Sequence, residues 1–99
     1  SHQTHKKNNS IFVLTSSGQY IYEYDNPSPG LMAKTTIASF YIAGNPKNDG
    51  PIGVASISSS YAFAVNEDGT TFYIADSFGY RIRKVTISSP GTGEVVNIV

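Results

Sequence analysis

The feature that most constrains this chain is that it repeats itself. Ile11-Phe-Val-Leu-Thr-Ser-Ser-Gly-Gln-Tyr-Ile-Tyr-Glu-Tyr-Asp25 overlays Phe72-Tyr-Ile-Ala-Asp-Ser-Phe-Gly-Tyr-Arg-Ile-Arg-Lys-Val-Thr86 without a gap. The overlay sets Ser16 on Ser77, Gly18 on Gly79 and Ile21 on Ile82, so each copy reads strand, Ser-x-Gly turn, strand. A third strand also recurs, with Ile42 falling on Ile98 once the intervening loop is shortened. Self-similarity of this kind marks a repeat architecture, in which one unit cannot bury both of its faces alone and stacks on a neighbour.

Composition says what the unit is made of. Ile, Val, Phe, Tyr and Thr supply 37 of the 99 residues, and Leu only two. Those β-branched and aromatic side chains fit a pleated, half-buried surface, so the chain is expected to be all-β. Seven runs read as strands: Ile11–Thr15, Tyr20–Tyr24, Thr35–Ala43, Tyr61–Val65, Phe72–Asp76, Arg81–Ile87 and Glu94–Val99. Longer loops fall at Asp25–Lys34 and Gly44–Ser60, while Asp68-Gly69 predicts an antiparallel hairpin between Tyr61–Val65 and Phe72–Asp76. Four antiparallel strands per unit suggest a propeller blade. Ser1–Ser10 holds no apolar side chain and is expected to be a disordered arm or tag remnant. The rest divides into a first blade, 11–44, lacking its innermost strand, and a second blade, 45–99.

Charge and chemistry are sparse. Seven basic and seven acidic residues cancel, which leaves no summed field to draw nucleic acid or an anionic membrane. The longest apolar runs, Ile11–Leu14 and Tyr61–Val65, fall far short of the roughly 20 residues of a membrane-spanning helix, so no membrane partner is expected. The absence of cysteine removes disulfides and thiolate zinc sites. His2 and His5 have neither Cys nor carboxylate beside them and read as a solvated tail rather than a metal site. With no pair of carboxylates expected in one strand ladder, no catalytic residue, metal or cofactor is anticipated.

Ile42-Ala43-Gly44-Asn45, Asp49-Gly50-Pro51, Ala62–Gly69, Phe72–Ser77 and Tyr80-Arg81-Ile82-Arg83-Lys84-Val85 together resemble an NHL repeat. The restrictive part is a β-branched strand ending in Ala75-Asp76-Ser77 followed by Arg81-Ile82-Arg83-Lys84. Two departures stand out: Phe78-Gly79-Tyr80-Arg81 replaces the family's Asn-His-Arg segment, and Ser59-Ser60 replaces the Pro usual before the innermost strand. In the first copy Thr15 takes the place of the Asp and Tyr20 that of the Arg. The resemblance implies nearly two antiparallel four-stranded blades of an NHL-type propeller, a rigid platform for binding another protein or macromolecule. Relatives that are amidating lyases or lactonases, and others that bind RNA, supply the alternative expectations; an enzyme site would need residues from further blades.

Asp76, Gly79, Arg81 and Ile82 form the structural motif, with Asp76 expected to hold the turn through hydrogen bonds to its amides or to Arg81. Tyr80, Arg81, Arg83 and Lys84 are the residues that would form a binding surface, since cations interleaved with aromatics can follow a phosphate backbone. Strand alternation, however, sends Arg81 and Arg83 to one face and Lys84 to the other. Tyr20, Tyr22 and Tyr24 share a face and are expected to pack between blades. An unpaired edge at Ile11–Thr15 and unmatched blade faces lead to the expectation of self-association, or of docking on further blades.

Overall fold

The computed structural model describes residues 3–7, 10–15, 19–28, 30–40, 49–55, 57, 60–76 and 81–98, and every regular element among them is a strand. The chain is all-β. One sheet has the order β1 (Gln3–Lys7), β2 (Ser10–Leu14), β3 (Tyr20–Ser28), β4 (Leu31–Ser39), each strand antiparallel to the last. The other is β6 (Ser60–Val65), β7 (Thr71–Asp76), β8 (Arg81–Ser89), β9 (Thr92–Asn97), again an antiparallel meander. The two-residue strand β5 (Gly50–Pro51) adds to the free edge of β9.

Local chemistry sets the turns. Between β6 and β7, Gly69 takes φ +71, and the Asn66 side-chain Oδ1 accepts the Thr70 and Thr71 amides at 3.0 and 3.2 Å. The expected Asp68-Gly69 hairpin is therefore present. Pro90-Gly91 joins β8 to β9 with Ser89 opposite Thr92 and Gly91 at φ +82, the pattern of a turn with Pro first and a left-handed Gly second. Gly30, at φ +80, serves β3 and β4 in the same way, with Ser28 opposite Leu31. The register of β3 on β4 shifts between Asp25 and Ser28, where Pro27 has no N–H to give the ladder.

Three expectations are corrected. Residues 3–7 are a strand rather than part of an arm: backbone pairing to β2 needs no apolar side chain, and it covers the inner edge that Ile11–Thr15 would otherwise leave bare. The first sheet thus has a fourth strand at that edge. The stretch Asp25–Lys34 is mostly strand, because a two-residue turn reverses the chain where a long loop was expected. The third strand runs Leu31–Ser39 instead of Thr35–Ala43, whose last residues lie outside the described ones. With this register the overlay continues gap-free past Asp25: Tyr20–Ser28 falls on Arg81–Ser89, Gly30 on Gly91, Leu31 on Thr92, and Ile37 rather than Ile42 on Ile98.

The two sheets share one core. Phe12, Leu14, Ile21 and Ala38 from the first meet Phe63, Phe72, Ile74, Val85 and Val95 from the second, and the Phe12 and Phe72 rings touch edge-on at 5.2 Å and 77°. Each of the Val, Leu, Ile and Phe side chains among them contributes about 1.5–3 kcal/mol when fully buried. β1 lies along β6, and β4 along β8 and β9, so the strands of the two sheets stack in the same order. The segment following β4 closes the packing: Ile52, Ala55 and Ile57 are buried, the Ile52 amide donates to Gly93 O at 2.9 Å, and the Gly53 amide to Ser39 O at 2.9 Å.

Candidate interaction surface

Alternation along the strands decides which side chains meet a partner. In the first sheet Ser10, Phe12, Leu14 and Ile21 face the second sheet and are buried, while Ile11, Val13, Tyr20, Tyr22 and Tyr24 occupy the opposite face. In the second sheet Phe72, Ile74, Arg83 and Val85 face inward, and Thr71, Tyr73, Ala75, Ile82 and Lys84 face out. The overlay pairs Phe12 with Tyr73, Leu14 with Ala75 and Ile21 with Ile82, so the buried face of the first sheet corresponds to the open face of the second. Conversely, buried Phe72, Ile74 and Val85 correspond to Ile11, Val13 and Tyr24 on the outside of the first sheet. The sheets therefore stack head to tail. A sandwich related by a two-fold axis would bury equivalent faces; this arrangement leaves one of each kind unused.

The open face of the second sheet carries an apolar patch, with Thr71, Lys84 and Glu94 on the same face. Ala62, Phe63, Ala64, Tyr73, Ala75 and Ile82 line a shallow groove of about 240 Å³. Tyr73 is 40%, Val96 41% and Ile98 48% exposed, and the Ile98 amide is held to Ile82 O at 3.0 Å. This volume lies below the roughly 300–1,000 Å³ of small-molecule sites, and the groove is nearly flat, which suits a packed surface better than an enclosed ligand. Sequence reasoning singled out Ile82 as part of the turn motif but not as a surface residue, and it did not single out the alanines, although a signal was available. The runs Tyr61-Ala-Phe-Ala-Val65 and Phe72-Tyr-Ile-Ala75 are apolar at every position, as strands covered on both faces are.

The outer face of the first sheet carries the tyrosines. Tyr20 and Tyr22 stack at 5.7 Å and 14°, Tyr24 meets Tyr22 edge-on at 6.3 Å, and Lys34 Nζ lies 4.4 Å from the Tyr22 ring centroid. They point away from the second sheet, so they do not pack between the two sheets described here. All three are half-buried, with Tyr22 in ring contact with both of the others.

Of the residues expected to form a basic binding surface, Arg83 is wholly buried and is corrected to a structural role. It stands opposite Ile74 on β7, on the core side, and its Nη2 donates to Asp49 Oδ1 at 2.9 Å. Asp49 Oδ2 also accepts the Asn97 amide at 3.2 Å, so one carboxylate clips the segment before β5 to both β8 and β9. The alternation itself holds: Lys84 sits on the other face, opposite Tyr73 and Val96, and is half-buried, as is Arg81. Ile82 lies in the open groove. Gly79, Tyr80 and the side chain of Asp76 lie outside the described residues; the Asp76 backbone pairs with Arg81. At the equivalent position of the first copy, Thr15 Oγ1 accepts the Tyr20 amide at 3.2 Å, between the end of β2 and the start of β3.

One carboxylate pair does stand in a ladder, contrary to expectation. Glu23 and Asp25 alternate on β3, and the buried Ser10 hydroxyl donates to Glu23 Oε2 at 2.9 Å, with Asp25 Oδ1 at 3.5 Å. A hydroxyl has one proton, and the shorter contact takes it, so the group acts as a cross-strand tie. Among the described residues no three His, Cys, Asp or Glu side chains converge as metal ligands would.

Comparison with protein families, with curated proteins and with solved structures finds no match to this chain.

Proposed function

We propose that this chain is a non-catalytic binding module, a pair of NHL-type propeller blades that recognises a protein partner through its unused sheet faces. The observation that carries the proposal is the inversion of the overlay. The Phe12, Leu14 and Ile21 face is buried, and its counterpart of Tyr73, Ala75 and Ile82 is open. Repeated sheets stacked head to tail are the arrangement of propeller blades, in which each face finds a neighbour. The RNA reading is weaker, because Arg83, which it needs at the surface, is buried against Asp49. An amidating-lyase or lactonase activity would draw its ligands from blades beyond these residues.

The test uses an apolar dye, anilinonaphthalene sulfonate, and labelled single-stranded RNA on the dilute, folded chain. The dye should bind, and Ala64→Glu, on the exposed side of β6, should abolish its fluorescence without lowering the melting temperature. RNA should bind no tighter than roughly 1 µM at physiological salt, the scale of non-specific contact. Dye binding indifferent to Ala64→Glu, or tighter RNA binding that falls steeply with salt, overturns the reading.

A further inference from the structure

We infer that the occupant of the open groove is a second copy of this chain, presenting the tyrosine face of its first sheet. The inference rests on the blade reading above and adds the partner's identity and its register. Its basis is continuity with the contact already inside the molecule, where Phe12 on β2 packs edge-on against Phe72 on β7. The overlay places Tyr73 at the position of Phe12 and Ile11 at the position of Phe72. Advancing the stack by one sheet therefore sets Tyr73 of one copy against Ile11 of the next. Both side chains are on the required outward faces, Tyr73 exposed and Ile11 half-buried.

The two faces also fit in chemistry. The groove side is low, lined by Ala62, Ala64 and Ala75, whereas the opposing side is tall, built from Tyr20, Tyr22 and Tyr24. Small residues facing large ones is how packed layers interdigitate. Charges agree as well. Because β4 stacks along β9 within the chain, the next β4 would lie along the outside of this β9, bringing Lys34 near Glu94; both are exposed in the single chain. The contact uses different patches on the two copies, so it is head-to-tail, and each added copy still offers one free face of each kind. Assembly then runs beyond a dimer.

The cysteine-free chain makes the register directly testable. Tyr73→Cys and Ile11→Cys variants, prepared separately, are mixed in equal amounts and oxidised mildly. The mixed disulfide should exceed the half share that random pairing gives. Predominance of a Tyr73→Cys homodimer means a two-fold face-to-face contact and overturns the proposal, as does random pairing. Light scattering after size exclusion supplies a second readout that does not depend on those substitutions. The unmodified chain at tens of micromolar should exceed the mass of two chains, and Ala64→Glu should return it to one chain with its melting transition retained. A monomeric unmodified chain overturns the second-copy occupant. If the dye experiment still reports a groove sensitive to Ala64→Glu, the binding-module reading survives and only the occupant is wrong.

Discussion

Removing the Asp49 carboxylate isolates what the buried Arg83 needs. Breaking a fully buried ion pair by deleting one partner costs about 3–5 kcal/mol, whereas deleting an exposed one costs about 0–1 kcal/mol. This pair lies between those limits, since Arg83 is 0% and Asp49 46% exposed. Water can reach the guanidinium along the path that Asp49 vacates, which discounts the upper figure. The Asn97 amide, itself exposed, exchanges its bond for water at little cost. Asp49→Ala should therefore lower stability by about 2 kcal/mol, or roughly 10 °C in melting temperature for a chain of this size. Asp49→Asn keeps an acceptor and loses the charge, so about half that loss is expected. Arg83→Met should cost less than Asp49→Ala, because it replaces the buried charge with an apolar side chain of similar length and leaves Asp49 half in water. Urea unfolding followed by far-ultraviolet circular dichroism, at one fixed protein concentration, measures all three as shifts in midpoint at constant slope. A loss below about 0.5 kcal/mol for Asp49→Ala, within the range of ordinary surface substitutions, would refute the claim that this carboxylate sustains the buried cation.

Gly93→Ala should be the most damaging of the small changes: a Cβ there would collide with the Thr86 carbonyl on β8 and press on Ile52, so β9 must shift, at about 1–3 kcal/mol by the same urea titration. Gly69→Ala should lose about 1–2 kcal/mol, because a side chain is strained at φ +71, and Gly69→Asn should recover part of it in the same assay. Asp76→Ala should cost about 1–2 kcal/mol, the scale of a charge-assisted turn hydrogen bond, by analogy with Thr15 and the Tyr20 amide; Asp76→Thr should restore most of the melting temperature.

Much of the fold was legible because strand signals are local. The β-branched runs and Asp68-Gly69 located β2, β6, β7, β8 and the start of β3 to within two residues. What failed depended on groups that leave no side-chain pattern. β1 is held by backbone pairing with β2, so its polar sequence read as an arm. β3 and β4 were cut short because Asn26-Pro27-Ser28-Pro29-Gly30 looks like a loop, although Ser-Pro-Gly recurs at Ser89-Pro90-Gly91 in the register of the overlay. The surface was harder. Alternation correctly separated Arg83 from Lys84, but it cannot say which face is covered. Only the distant Asp49, across the whole of β6 and β7 in sequence, reveals that Arg83 points into the core.

That failure has a physical logic that bears on the whole chain. In a sheet covered on one side, polar residues mark the wet face, and an Arg beside other cations, as in Arg81-Ile82-Arg83-Lys84, reads as surface. In β6 and β7 neither face carries that mark: Phe63, Phe72 and Ile74 are buried, and Ala64, Tyr73 and Ala75 on the other side are equally apolar yet open. The chain thus spends apolar residues on a face that, alone, gains nothing from them, while Arg83 on the covered face needs a carboxylate brought from before β5. Both features make sense if each sheet is built for two neighbours. A partner on the Tyr73 face would give the alanines the close approach that their small size permits. The tyrosines at the other end of the stack would then stand where Arg83 and Val85 stand within it.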